Sequence, residues 1–362
     1  MKQYTFAKWM PLIRPHGRLL QGKDGVWFNW SCSGFTIAFT GSKLQAYLIP
    51  IGEPSPASSP QHPVIEYPYA GVSEDGETLT RRFICEKEGW YTLFEGEDGQ
   101  HSLRLIKITE NMRGKLLLAS LETDGELLPA PAENKPLIEF VGDSITCGYG
   151  NEAPGRDEPF RPEEENGWMS FGPQAARKLG MEFSCLSVSG IAVSDSKNGK
   201  FTFPCPQMNA LYSYTDRLME EKSGGPFTDW DFAAHPAAIV LINLGTNDVN
   251  PVRFADSRSV GDEEEAWFTE QYQAFLKQVR SLNGPECQIV CTLGPLDYYL
   301  YDQIEKAVHR YQQETGDQRI TAFKLTGVNL MTEGFGADGH PSMKTHTRLG
   351  KELAERLQKL LF

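Results

Sequence analysis

The sequence predicts an α/β chain in two parts: an N-terminal β-sandwich of the jelly-roll kind, then a doubly wound domain with a parallel sheet between helices. Three observations carry this. From Gly17 to about Glu122, short strand candidates follow one another with turn residues between them. After Pro136, apolar strands alternate with helical patterns, as expected for parallel strands buried on both faces. Between the two lies the aperiodic, Pro-rich stretch Leu128–Pro136, which reads as a linker. A chain of 362 residues suits about two domains. The boundaries read as 1–128 and 136–362.

Composition narrows the function classes. Hydrophobic residues make up 40% and charged residues 23%, an ordinary globular balance. The net charge of −13, without a basic run, argues against a nucleic-acid partner. No stretch is long and apolar enough to span a bilayer, so no membrane partner is expected. Met1–Trp9 has no apolar signal region, and cytoplasmic residence is the expectation. The seven cysteines lack CxxC spacing and fall mostly in strand-like runs, which suits buried thiols in a reducing compartment better than disulfides or zinc.

In the first part the strand candidates are Val26–Trp30, Phe35–Phe39, Leu44–Ile49, Val64–Tyr67, Arg82–Cys85, Trp90–Phe94, Ser102–Ile108 and Leu116–Ala119. Gly41-Ser42, Asp75-Gly76 and Asp98-Gly99 read as the turns between them. Exposed aromatics in such a domain can bind carbohydrate, but Trp27, Trp30 and Trp90 are expected mostly in the core. In the second part the strands are Leu137–Gly142, Met181–Val188, Ala237–Leu244, Gln288–Leu293 and Ile320–Leu325. Helices are expected at about Glu263–Leu282, at Tyr301–Glu314 and from Pro341 onward, the first with a stripe of Phe268, Tyr272, Phe275, Leu276, Val279 and Leu282. Asp157–Asn166 and Asp195–Lys200 read as polar loops beyond the first and second strands.

The carboxyl ends of parallel strands open on one edge of the sheet, where ligands bind. Ser144 follows the first strand, Ser189-Gly190-Ile191 the second and Gly245-Thr246-Asn247-Asp248 the third. Asp338-Gly339-His340 lies beyond the last strand. Alone, Ser144 suits a helix cap, Gly190 and Asn247 suit turns, and His340 suits a surface histidine. Together they supply what acyl transfer needs. Ser144 is the nucleophile, and His340 is a base whose unperturbed pKa lies near ~6.5. The N–H groups of Ser144 and Gly190 and the Asn247 amide are the oxyanion donors.

Gly142-Asp143-Ser144, Gly190, Gly245-Thr246-Asn247-Asp248 and His340 resemble the four blocks of the SGNH (GDSL-type) hydrolase superfamily. The domain order and the Ile138–Gly150 run most resemble carbohydrate esterase family 2. The resemblance implies a three-layer α/β/α hydrolase domain behind the jelly roll, working without metal or cofactor. It implies O-deacetylation of plant cell-wall polysaccharides or their oligosaccharides, such as xylan and glucomannan. The superfamily's acid usually stands three residues before the histidine, where this chain has Ala337; Asp338, two before, has the spacing of carbohydrate esterase family 2 and is expected as the triad acid. That family also contains dyads in which a main-chain carbonyl supports the histidine. Tyr298 and Tyr299 are expected as an aromatic platform for sugar. The alternatives are an esterase or thioesterase for lipid or small acyl substrates, and a carbohydrate-binding protein with an idle hydrolase site. A homo-oligomer is left open.

Overall fold

The structure, a computed structural model, describes residues 1–56, 59, 61–199, 201–203 and 205–361. Lys200, at the end of one expected loop, lies outside the described residues. The chain divides into two compact units: Met1–Asn134 with Arg161–Trp168, and Lys135–Phe160 with Met169 onward.

The first unit is an antiparallel ten-stranded sheet. Its principal strands are β1 (Lys2–Thr5), β2 (Gly34–Ile51), β3 (Tyr69–Ser73), β4 (Arg81–Ile84), β5 (Gly89–Lys107) and β6 (Lys115–Thr123). β2 lies between β6 and β5, and β3 and β4 continue beyond β5. Two pairs of expected strands are fused here. Phe35–Phe39 and Leu44–Ile49 are one strand through Gly41, and Trp90–Phe94 and Ser102–Ile108 are one strand through Gly99. Gly41-Ser42 and Asp98-Gly99 are therefore irregularities within paired strands and not hairpin turns. The reason lies in a side chain far along the sequence: Asp124 Oδ1 accepts from Ser42 N and Lys43 N at 2.9 and 3.0 Å, while Gly41 takes a φ of +117°. The register shift changes the pleat. Phe35, Ile37 and Phe39 face the core before it, and Leu44, Ala46 and Leu48 after it, so both halves of β2 feed one apolar interior. Asp75-Gly76 is a turn as expected, with Asp75 Oδ1 accepting from Glu77 N and Thr78 N at 2.8 Å.

Of the three tryptophans expected mostly in the core, only Trp30 is fully buried. Trp27 is half-buried, and Trp90 stands exposed at a T-shaped contact with Tyr47. The stretch expected as a linker is pinned to this unit, since Ala130 N donates to Leu12 O and Arg14 pairs with Glu133 at 2.6 Å. The segment Arg161–Trp168, which overlaps the expected loop Asp157–Asn166, joins the same unit. Glu110 N donates to Glu165 Oε1, and Trp168 Nε1 to Glu77 O, both at 2.8 Å.

The second unit carries a five-stranded parallel sheet in the order β8-β7-β9-β10-β11. These are β7 (Leu137–Gly142), β8 (Glu182–Ser187), β9 (Ala237–Asn243), β10 (Gln288–Leu293) and β11 (Ile320–Lys324). The helices are α1 (Ser144–Cys147), α2 (Phe171–Lys178), α3 (Met208–Leu211), α4 (Asn250–Arg253), α5 (Arg258–Asn283), α6 (Tyr301–Thr315) and α7 (Met343–Leu361). The stripe on α5 buries Phe268, Tyr272, Phe275, Leu276 and Val279, with Leu282 half-buried. The last helix begins at Met343 and not at Pro341, because Pro341 forms a β-bridge with Phe335. Leu349, Leu353 and Leu357 form the buried stripe of α7, whereas Leu360 is exposed. Gly350 lets α7 lie close against α2: a Cβ there would stand 2.8 Å from Gln174 Cβ.

Two features of this sheet set the site. Gly142 of β7 is level with Ser187 of β8 and Asn243 of β9, so three loops start at one height. The chain leaves β7 for β8 on one side and returns to β9 on the other, which makes the end of β7 the topological switch point. Among the described residues no helix is long and apolar enough to cross a membrane.

Candidate active site

The strand β7 ends at Gly142, which must be glycine because a Cβ there would meet Thr146 Oγ1 at 2.0 Å. Asp143 then caps α1, its Oδ1 accepting from Ile145 N at 2.9 Å. Ser144 thus occupies the first position of α1, where a backbone N–H has no acceptor inside the helix. Cap and nucleophile are divided between neighbours: Asp143 does the capping, which leaves the Ser144 hydroxyl for other work.

That hydroxyl lies 2.9 Å from His340 Nε2. The other ring nitrogen, Nδ1, stands 3.2 Å from the carbonyl oxygen of Ala337. A carbonyl can only accept, so Nδ1 carries the proton and Nε2 presents its lone pair to Ser144 Oγ–H. This is the tautomer a general base requires. Asp338 is placed differently from the expectation for a triad acid. It is exposed, its backbone is left-handed at φ +49°, and its Oδ2 accepts from Tyr149 OH at 2.9 Å.

The histidine turn is docked on the segment that follows the nucleophile. Ala337 N donates to Gly150 O at 3.0 Å, and Met343 N to Asn151 O at 2.8 Å. Within the turn, Gly336 N donates to His340 O at 2.8 Å. Gly150 has φ +54°, and a Cβ on it would lie 2.5 Å from Ala337 Cβ. The Gly148-Tyr149-Gly150 run therefore serves as a socket for the His340 turn. Tyr149 packs its ring 4.3 Å from the His340 ring and stacks on Phe160 at 4.0 Å. Sequence reasoning missed these roles for Tyr149, Gly150 and Ala337. The two glycines flanking a tyrosine shortly after Ser144 were the available signal.

Gly190 follows β8 with φ +81°, and Asn247 follows β9. Asn247 Nδ2 donates to Ile191 O at 2.9 Å. An amide nitrogen has two hydrogens, so the second remains for a developing oxyanion. Asp248 accepts at Oδ1 from Val193 N at 2.8 Å, which joins the two loops. Burial pushes the Asp143 and Asp248 carboxyls up to about 7 each, and Asp143 adds to the shift at Asp248. Burial also pulls the His346 imidazole of α7 down to about 3, with a further push from nearby His340. Tyr298 and Tyr299 commit their hydroxyls outside the Ser144–His340 pair. Tyr298 donates to Leu325 O at 2.6 Å and Tyr299 to Glu265 Oε1 at 2.8 Å.

A serine at a helix start at the switch point, 2.9 Å from a histidine nitrogen whose ring is in the tautomer of a base, is the arrangement expected of a carboxylic ester hydrolase. Residues 140–348 match the GDSL-like Lipase/Acylhydrolase family, and the chain belongs to it. Residues 15–131 match the Carbohydrate esterase 2 N-terminal domain. The chain is 30% identical over 270 residues to the cellulase/esterase CelE of Acetivibrio thermocellus, covering 73% of this chain and 30% of that protein. It thus spans under a third of that relative's length. It is 26% identical over 336 residues to an acetylxylan esterase / glucomannan deacetylase of Cellvibrio japonicus, covering 84% of this chain and 88% of the relative. A solved structure of a family two carbohydrate esterase from Clostridium thermocellum, in complex with cellohexaose, superposes with a TM-score of 0.79 at 27% identity. That superposition covers 96% of this chain and 99% of the other.

Proposed function

We propose that this chain is a serine esterase that removes O-acetyl groups from plant cell-wall polysaccharides or their oligosaccharides, of the xylan and glucomannan kind. The observation that carries the chemistry is the 2.9 Å approach of His340 Nε2 to Ser144 Oγ, with Nδ1 turned to the Ala337 carbonyl. The substrate class is supported by relatives named for acetylated xylan and glucomannan, and by a neighbour that holds cellohexaose.

In this reading Ser144 Oγ attacks the acetyl carbonyl carbon as His340 Nε2 takes its proton. The carbonyl oxygen gains negative charge between the N–H groups of Ser144 and Gly190 and the Asn247 amide. Collapse expels the sugar oxygen, which takes the proton from His340 and leaves as a hydroxyl. Water, deprotonated by the same nitrogen, attacks the acetyl-enzyme, and acetate leaves with Ser144 restored. The imidazolium formed on the way is stabilised by the Ala337 carbonyl through Nδ1–H.

The test is acetate release from acetylated xylan, acetylated glucomannan and a long-chain lipid ester side by side, with Ser144→Ala as control. Release from the glycans by the wild type alone is the expected result. Preference for the lipid ester would overturn the substrate class, and wild-type turnover by Ser144→Ala would overturn the mechanism.

A further inference from the structure

Resting on the reading of Gly190 N–H as an oxyanion donor, we infer that Gln207 is a positioning residue that holds this donor in place. Gly190 lies past the end of β8, so no sheet ladder fixes it. The next three residues are instead tied to other segments of the chain. Ile191 O accepts from Asn247 Nδ2, and Val193 N donates to Asp248 Oδ1. Between them Ala192 N donates to Gln207 Oε1 at 2.8 Å. The start of α3 completes the clamp, with Met208 N and Asn209 N donating to Ala192 O and Val193 O at 3.0 Å.

Gln207 is the member of this clamp that no sequence block marks. The residue is 3% exposed, and its Nε2 donates to Cys205 O, which fixes the amide so that oxygen faces Ala192. Ala192 is itself fully buried. Without an acceptor, its N–H would be a buried unpaired donor, and the loop would have to shift to satisfy it. Gly190 is two residues away and takes up that shift directly. A donor displaced by about 1 Å loses much of its value to a transition state.

The experiment compares Gln207→Met, which keeps shape but has no acceptor, with Gln207→Glu, which keeps an oxygen opposite Ala192. Both are assayed on a small acetate ester beside Ser144→Ala, with melting temperatures recorded. Gln207→Met is expected to lower kcat by about tenfold to a hundredfold with KM within about twofold, less than for a removed oxyanion donor because the donor is displaced and not lost. Gln207→Glu is expected to restore kcat to within about fivefold even though its buried charge lowers the melting temperature. Should the Met variant not fold, Gln207→Asn, one methylene too short to reach Ala192, carries the same test. Wild-type kcat in the folded Met or Asn variant, or equal losses in Met and Glu, would overturn the assignment. Failure of the esterase reading is recognised separately, because only then does Ser144→Ala remain active.

Discussion

In the loop Ile191–Val193 the Asn247 amide, the Gln207 amide and the Asp248 carboxyl each take one backbone group, and main chain at Met208 and Asn209 takes two more. In the turn Gly336–His340 the holding bonds are mostly main chain, with one side-chain bond from Tyr149 OH to Asp338 Oδ2. Gly150 O and Asn151 O accept from Ala337 N and Met343 N, and the His340 ring itself rests on the Ala337 carbonyl. The first arrangement fails when a polar atom is removed. The second fails when a glycine gains a Cβ and the backbones are forced apart. The same catalytic requirement, fixed geometry around one hydroxyl, is thus met by two kinds of restraint with different weaknesses.

The largest effect that tests this contrast is expected on the side-chain side. Asn247→Ala removes the tie to Ile191 O and, on the proposed mechanism, an oxyanion donor, and kcat should fall by about 10²–10³ with little change in KM. Steady-state kinetics on a small acetate ester measures this. A rise in KM at constant kcat would make Asn247 a substrate-binding residue instead.

The main-chain side is probed by Gly150→Ala. The added Cβ would lie 2.5 Å from Ala337 Cβ at a φ of +54°. Pushing the turn away lengthens the 2.9 Å Ser144–His340 approach, and kcat should drop by about tenfold or more. Gly180→Ala is the matched control: its φ is +65°, but no described atom lies within 4 Å of the new Cβ. It should cost about 1–2 kcal/mol of stability for the left-handed backbone and leave kcat alone. Equal kcat in the two variants would show that Gly150 acts through backbone strain and not through the histidine turn.

These residues also show how much was legible beforehand. The strands β7 to β11 were visible because buried parallel strands are continuous apolar runs, and their carboxyl ends placed Ser144, Gly190, Asn247 and His340 on one rim. The fused strands β2 and β5 were not visible. Gly41-Ser42 has turn chemistry, and what keeps the strand running is Asp124, more than eighty residues away. Gln207 and Ala337 were hidden for a related reason: one acts through a long-range side-chain bond and the other through a carbonyl, which every residue possesses.

Asp338 gives a smaller effect that separates two ways of holding a histidine. Spacing pointed to it as triad acid, while Nδ1 faces the Ala337 carbonyl and Asp338 Oδ2 serves Tyr149. Asp338→Asn keeps an acceptor for Tyr149 OH and removes only a nearby negative charge. Its loss in kcat should be roughly tenfold or less, against about 10⁴ for a buried acid that sets the tautomer. His340→Ala, assayed alongside at neutral pH, should be inactive. A loss near 10⁴ in Asp338→Asn would restore the triad.

The smallest effect on turnover comes from His346, which lies on the histidine side but touches no reacting atom. Its Nδ1 accepts from Phe171 N at 3.2 Å, and burial holds its pKa down at about 3, against an ordinary imidazole value of 6.5. The folded imidazole therefore stays neutral in a range where the unfolded one takes a proton. In that window the unfolded state binds more protons, so stability is present in full above about 6.5 and is lost as the pH falls towards 3. The slope from this one group approaches about 1.4 kcal/mol per pH unit at its steepest. His346→Gln removes the titration and keeps an amide oxygen for Phe171 N. Its melting temperature should fall less steeply than that of the wild type between pH 6 and 4, while kcat at pH 7 stays within about twofold. Parallel acid limbs in the two proteins would show that His346 gains a proton in the folded state as readily as in the unfolded one. The packing of α7 against α2 would then be looser than Gly350 and Gln174 indicate.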